Sequence, residues 1–186
     1  MLQDLLDFSG SIGSAFAIAL PTLCFITGSA FLIGSLFGIY SRGKGATGVS
    51  SSLPVCLFLI AAGASLLSLP EFLNMGNTTL GLSARASVGS VNSAGQVTFS
   101  SDSLKSAISQ GPTATLAAML HAFRYYFMSY GAFWVYVSIV RQTNTMKGRS
   151  NTLTTTNICM LLGGFFLMNA DTLVPIIAKK THLLSS

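Results

Sequence analysis

The sequence predicts an all-α membrane protein in which four transmembrane helices form two hairpins separated by a long polar loop. Half of the 186 residues (51%) are apolar and only 8% are charged, whereas soluble domains carry about 25% charged residues. The apolar residues are collected in four continuous blocks and do not form the one-sided stripe of a water-exposed helix. The bilayer is therefore predicted to take the place of a protein core.

Each apolar block has the length of a transmembrane helix, which takes about 20 residues. The blocks cover residues 12–40, 53–73, 112–140 and 153–178. Pro21 interrupts the first block, so we expect a kink or a short interfacial helix before the span. The second block is expected to be a simple, unbroken span. In the third we expect the span at 123–140, with residues 113–122 continuing the helix toward the aqueous side.

Charge in the loops predicts how the helices are oriented. Two short loops are basic and contain no acidic residue, so the positive-inside rule directs both toward the cytoplasm. Their basic residues are Arg42 and Lys44 in the first loop and Arg141, Lys147 and Arg149 in the third. The termini and the long loop then lie on the outer side. The predicted divisions are a first transmembrane hairpin (1–73), an outward polar loop (74–111), and a second hairpin with a short C-terminal tail (112–186).

The long loop consists mainly of Ser, Gly, Thr and Asn, and it contains too little apolar material for an independent domain. Apolar residues alternate between positions 88 and 99, which indicates a small β-hairpin. Ser101 and Asp102 then precede a short helix that Gly111 and Pro112 would end. We interpret the loop as a cap or a contact surface.

The two hairpins resemble each other at an offset of 101 to 103 residues. Ala62-Gly63 corresponds to Gly163-Gly164, and Cys56 corresponds to Cys159. Because both hairpins run from outside to inside and back, such a repeat would be parallel, with an axis along the membrane normal. Any two apolar hairpins of similar length would align to some extent, so a duplication and a chance resemblance are both open.

Three ionisable residues lie at membrane depth, where a charge is costly unless it is paired or hydrated. His121 and Arg124 are three positions apart, on one helical face near the outer end of the third span. Asp171 lies at a comparable depth in the fourth. We expect Arg124 and Asp171 to form a polar pair between the two helices. The pair fits a clamp between helices, a proton or ion relay, or simple snorkelling to the headgroups.

Small residues recur at the spacing that lets membrane helices approach closely. Gly34 and Gly38 form a GxxxG motif in the first block. The glycines that we expect in helix contacts are Gly28, Gly34, Gly38, Gly163 and Gly164.

The sequence predicts no catalytic, cofactor-binding or metal site, and we do not expect an enzyme. HExxH, GxSxG and a phosphate-binding glycine loop are missing, and the five acidic residues are not paired at a useful spacing. Cys24, Cys56 and Cys159 lie inside apolar blocks without a CxxC pair, which is typical of buried packing residues. The basic residues are thinly spread beside apolar runs, so we expect no direct binding of nucleic acid.

Several short motifs occur in order across both hairpins. They are Leu20-Pro21, Ile26-Thr27-Gly28, Phe31-Leu-Ile-Gly34, Ser50-Ser-Ser-Leu-Pro54 and Leu161-Leu-Gly-Gly-Phe-Phe-Leu-Met-Asn169. In these motifs the chain resembles the small polytopic inner-membrane proteins of type IVB secretion and conjugation systems, the IcmC/DotE group and its plasmid relative TraQ. The long Ser/Gly loop and Lys179-Lys180 depart from the pattern of that family.

The resemblance implies a non-enzymatic subunit of an apparatus that moves protein or DNA–protein substrates across the cell envelope. It implies that the multi-pass protein lies in the bacterial inner membrane, so the outer side, to which the positive-inside rule assigns both termini, is the periplasm. The expected partners are the lipid bilayer and other membrane subunits, or further copies of the chain, because the hairpins also resemble pilins of type IV systems. Two alternatives are a small ion-coupled transporter or channel that uses Arg124 and Asp171, and an accessory protein that binds a larger membrane partner.

Overall fold

The computed structural model describes residues 2–82 and 109–180, and these form helices joined by short turns. The helices are α1 (Leu2–Gly43), α2 (Leu53–Leu67), α3 (Leu69–Thr79), α4 (Pro112–Ala122), α5 (Arg124–Met146), α6 (Thr154–Met168) and α7 (Ala170–Lys180), with a 3₁₀ turn at Val49–Ser51. No strand occurs in these two ranges, and the all-helical class is confirmed for them. The β-hairpin predicted between 88 and 99 and the start of the short helix after Asp102 lie outside the described residues.

The long helices form two antiparallel pairs, α1 with α2 and α5 with α6. In each pair the two backbones touch at glycine. A Cβ at Gly63 would lie 2.9 Å from the carbonyl oxygen of Gly28, and a Cβ at Gly164 would lie 2.8 Å from that of Gly131. Such contacts are possible only where the side chain is a hydrogen atom, and they are typical of helices that pack inside a bilayer.

The helices of the second pair begin and end at positions equivalent to those of the first pair. α1 and α5 are both closed by a glycine with positive φ, 82° at Gly45 and 69° at Gly148, a backbone conformation that suits glycine at a helix C-terminus. α2 and α6 are both 15 residues long, and α3 and α7 are both 11. The two glycines at the second crossing follow those at the first by 103 and 101 residues. The offset seen in the sequence is therefore also the offset between equivalent helix positions.

The two pairs stand side by side, with α1 and α5 parallel. Near the start of α1, the ring of Phe16 packs against Phe133, with centroids 5.2 Å apart. Further along α1, the ring of Phe31 lies 5.0 Å from Nζ of Lys147, just past the end of α5. Because the contacts advance in the same direction along both helices, the turns that join the members of each pair lie at the same end.

The second and fourth apolar blocks are broken helices, which corrects the prediction of an unbroken second span. The chain bends by 99° between α2 and α3, at Ser68, and by 87° between α6 and α7, at Asn169. Pro70 has no N–H to continue α2, and its ring would clash with the carbonyl group one turn earlier. At the second bend the Asn169 side-chain amide donates to the carbonyl oxygen of Phe165 at 2.9 Å. That carbonyl would otherwise accept a bond from the continuing backbone.

Other predicted boundaries also change. α1 is continuous through Pro21, so no separate interfacial helix precedes the span there. α3 extends to Thr79, so helix continues past residue 73, where the polar loop was predicted to begin at 74. Residues 113–122 were expected to continue the helix of the third span, and this is wrong, because α4 ends at Ala122 and a separate helix, α5, begins at Arg124.

Within the described ranges, one helical segment, Ser11–Gly43, is long and apolar enough to cross a membrane. Up to three segments qualify if each bent pair of helices counts as one span. The span predicted at 123–140 is not among them, although α5 has 23 residues. Tyrosines, serines and Arg141 make this helix less apolar than α1.

The glycine crossing predicts different effects for two adjacent substitutions. Gly164→Leu should destabilise the chain by about 2 to 3 kcal/mol, because the new side chain would overlap the backbone of α5. Gly163→Leu is the matched control, since no atom lies within 4 Å of a Cβ at that position. Unfolding in mixed detergent micelles, followed by circular dichroism, measures both. Equal stability of the two variants would contradict the crossing.

Candidate functional site

An ion pair joins the break between α4 and α5 to the bend between α6 and α7. Arg124 is the first residue of α5, and Asp171 lies in the first turn of α7. Nε of Arg124 is 3.2 Å from Oδ2 of Asp171. The contact predicted from the sequence is therefore present. The helix that carries Asp171 differs from the prediction, because Asp171 follows the bend and does not lie inside one continuous helix.

Burial in this ion pair is unequal. The Asp171 side chain is 7% exposed, whereas that of Arg124 is 40% exposed. The second carboxylate oxygen, Oδ1, is buried and has no hydrogen-bond partner among the described residues. A carboxylate in this position depends on its cation, because removing one partner leaves an uncompensated buried charge. The geometry can therefore hold α7 against the start of α5.

His121 is not part of this ion pair. It lies in the last turn of α4 and is exposed. The sequence placed it with Arg124 on one helical face, but the break at Phe123 assigns the two residues to different helices. The described residues contain no group of three or more His, Cys, Asp or Glu that could hold a metal ion.

A second polar contact joins the two halves of the chain close to the ion pair. Nδ2 of Asn169 donates to Oδ1 of Asn77 at 3.0 Å, and both side chains are buried. Next to it, a Cβ at Gly76 would overlap the ring of Phe165, so the ring packs directly on the α3 backbone. Asn77 was missed in the sequence because it stands in a polar segment. The sequence offered one signal of this contact, which is the polar residue Asn169 inside an apolar block.

A third polar cluster lies near the opposite end of α5 and α6. Oγ of Ser138 donates to the Asn157 carbonyl oxygen at 2.6 Å, and Nδ2 of Asn157 donates to Oε1 of Gln142 at 2.8 Å. Oδ1 of Asn157 is buried without a hydrogen-bond partner among the described residues. When α2 and α6 are aligned by their first residues, Asn157 takes the position of Cys56. This corrects the sequence alignment of Cys56 with Cys159. The cluster therefore belongs to the second pair alone.

Of the five glycines predicted to pack, Gly28 and Gly164 lie at the two crossings. Gly38 is also buried. Gly34 and Gly163 make no packing contact with the residues that the structure describes, because none of their atoms lies within 4 Å of a Cβ at either position. The sequence motif identified helices with close contacts but not the faces that make them. The crossing partners Gly63 and Gly131 were not among the predicted packing residues.

The five basic residues predicted for the loops differ in their surroundings. Arg42, Lys44 and Arg149 are exposed. Arg42 lies in the last turn of α1 and not in the loop where it was predicted, whereas Lys44 and Arg149 lie in the turns. Arg141 lies within α5 and not in a loop, because that helix extends to Met146, and its Nη1 is 3.5 Å from Sδ of Met160. Burial and the nearby charge of Arg149 lower the pKa of the Lys147 ammonium.

The cysteines are also placed differently from one another. Cys24 and Cys56 are buried, as predicted, whereas Cys159 is exposed on α6. An exposed position in an apolar helix corrects the expectation that all three are buried.

Comparison of the chain with protein-family models, curated proteins and solved structures finds no significant match.

The ion pair predicts a measurable coupling between two residues. Arg124→Gln and Asp171→Asn should each destabilise the chain, and the double variant should recover part of the loss. Because Arg124 is 40% exposed, solvent screens the interaction and we expect a coupling of about 1 kcal/mol. Detergent unfolding of the parent and the three variants measures it. His121→Gln serves as the control and should leave stability unchanged, whereas strict additivity of the two substitutions would show that the contact contributes nothing.

Proposed function

We propose that this chain is a structural, non-enzymatic subunit of a membrane assembly, with α1, α2, α5 and α6 crossing the bacterial inner membrane as two hairpins. The observation that carries the proposal is the exposed apolar surface of α1. Its exposed large side chains include Ile18, Phe25, Ile26, Ile33, Leu36 and Phe37. An apolar surface of this extent is typical of a face covered by lipid or by another protein.

Two outward glycines support packing against neighbouring subunits. Gly34 and Gly163 are open positions on α1 and α6, one in each helix pair. In a bilayer, helices associate where small residues allow close backbone approach. A chain that already uses four glycines for its internal crossings therefore has two further positions at which a second copy or another subunit can pack.

The orientation in the proposal follows from the distribution of charge. The turns of both helix pairs carry basic residues and lie at one end of the molecule, which the positive-inside rule directs to the cytoplasm. The long polar loop then lies in the periplasm together with both termini.

The resemblance to inner-membrane proteins of type IVB secretion and conjugation systems supports a more specific proposal. In it, the chain is a subunit of a Dot/Icm-like secretion or conjugative transfer apparatus and binds other membrane subunits of that machine. Duplicated, pilin-like hairpins also fit assembly into a homo-oligomer. The chain would act by packing, without direct contact with nucleic acid.

A second candidate function is a small ion-coupled transporter or channel. The observation that favours it is the buried Oδ1 atom of Asp171, which has no hydrogen-bond partner in the described part of the chain. A buried carboxylate with one free oxygen can take up and release a proton. The third alternative, an accessory protein that binds a larger membrane partner, differs from the first only in the identity of the partner.

Assembly should depend on the outward glycines. Gly34→Leu and Gly163→Leu should leave the fold intact and abolish recovery of the high-molecular-mass complex, because each leucine would block the close approach of a neighbouring helix. Native electrophoresis of complexes extracted from the producing cells measures this. The control is Gly43→Leu, which is equally open but lies at the end of α1. Normal complexes from both glycine variants would contradict the assembly proposal.

Transport should depend on the Asp171 carboxylate if the second candidate is correct. Proteoliposomes that contain Asp171→Asn should then lose proton or cation flux, because the amide cannot carry a proton or a charge. Flux measured with a pH-sensitive dye decides the question. Flux that is absent from the parent protein, or unchanged in the variant, removes this candidate and leaves the structural role in place.

A further inference from the structure

Four basic residues gather where the turns of the two helix pairs meet, and we call this region the basic end. They are Arg42, Lys44, Lys147 and Arg149. The two turns lie side by side, because a Cβ at Gly148 would lie 4.0 Å from Cγ1 of Val49. The region therefore forms one surface with contributions from both halves of the chain.

Among the described residues, no acidic side chain belongs to the basic end. None of its four residues forms an ion pair with a carboxylate among the described residues. Glu71 and Asp171 lie in α3 and α7, the helices at the opposite end of the pairs. Uncompensated positive charge on one surface attracts anions.

Lys147 is the most enclosed of the four side chains. Its Nζ lies 5.0 Å from the centroid of the Phe31 ring, so the ring of α1 covers one side of the ammonium group. Arg149 adds a like charge nearby, and this charge and the partial burial both disfavour the charged form of Lys147. An anion bound beside Lys147 and Arg149 would offset the repulsion between them and favour the charged form of Lys147.

We propose that the basic end binds the phosphodiester headgroup of an anionic phospholipid, held by Lys147 and Arg149 of the turn between α5 and α6. A phosphodiester accepts hydrogen bonds from an ammonium and a guanidinium group together. The acyl chains have an apolar surface to follow, because Phe37 and Tyr40 near the end of α1 are exposed. The inference rests on the membrane location proposed above and is independent of any role in secretion.

The test compares two lipids and three variants of the purified full chain. Phosphatidylglycerol and phosphatidylcholine with the same acyl chains are titrated into the detergent-solubilised protein, and binding is followed by native mass spectrometry and by the midpoint of thermal unfolding. Phosphatidylglycerol should bind more tightly and raise the midpoint. Lys147→Gln combined with Arg149→Gln should weaken its binding by tenfold or more, because a basic residue contributes roughly 1 kcal/mol at an anionic surface and 1.4 kcal/mol is a factor of ten.

Two further variants keep the test decisive. Arg149→Gln alone alters an exposed side chain, so it should fold normally and still lose several-fold affinity. Lys180→Gln removes an exposed basic residue from the last turn of α7 and should bind phosphatidylglycerol as the parent does. The inference is overturned if both lipids bind equally, if Lys180→Gln loses as much affinity, or if inorganic phosphate at the same concentration protects equally well.

Failure of this inference can be told apart from failure of the membrane location. The parent protein is reconstituted into phosphatidylcholine vesicles and washed with alkaline carbonate. Protein that remains in the vesicles but shows no preference for phosphatidylglycerol contradicts the lipid site alone. Protein that is released by the wash contradicts the membrane location itself, and with it the lipid site.

Discussion

The direct contact of two backbones at glycine determines how each helix pair is built. Lipid tails are as apolar as leucine side chains, so membrane helices gain little from burying apolar surface against each other and depend on close packing. At Gly28 and Gly63, and again at Gly131 and Gly164, the missing side chains let the backbones touch. Leu32 and Val135 fill the space beside the two crossings. The turns lie on one side of these crossings, at the basic end, and the bends lie on the other side.

Two polar contacts lie away from the crossings. The contact of Asn169 with Asn77 connects the two halves of the chain, whereas that of Asp171 with Arg124 joins two helices of the second half. The bond between Asn77 and Asn169 and the pair of Arg124 with Asp171 both involve the bends. With 15 residues each, α2 and α6 are about 22 Å long, whereas the hydrocarbon layer is about 30 Å thick. On the proposed placement, α3 and α7 therefore lie across the outer boundary of this layer, where polar groups meet water more easily than at its centre.

Much of the helical structure could be predicted from the sequence, and the failures have physical reasons. Apolar blocks predict helices because their length and composition are local properties. The contact between Arg124 and Asp171 could be predicted because two opposite charges in apolar surroundings have few other partners. Gly34 was predicted to pack because spacing identifies a stripe of small residues but not the face that meets a partner. Asn77 looked like a loop residue, since its burial depends on a contact 92 positions away.

The central claim is that two helix pairs with equivalent crossings stand parallel in the membrane, with both of their turns on one side. Labelling of single cysteines with a membrane-impermeant maleimide tests it most directly, in a chain whose three native cysteines have been replaced by serine. Lys44→Cys and Arg149→Cys should both react only from the cytoplasmic side, and Glu71→Cys only from the periplasmic side. Reaction of Lys44→Cys and Arg149→Cys from opposite sides would contradict the parallel arrangement.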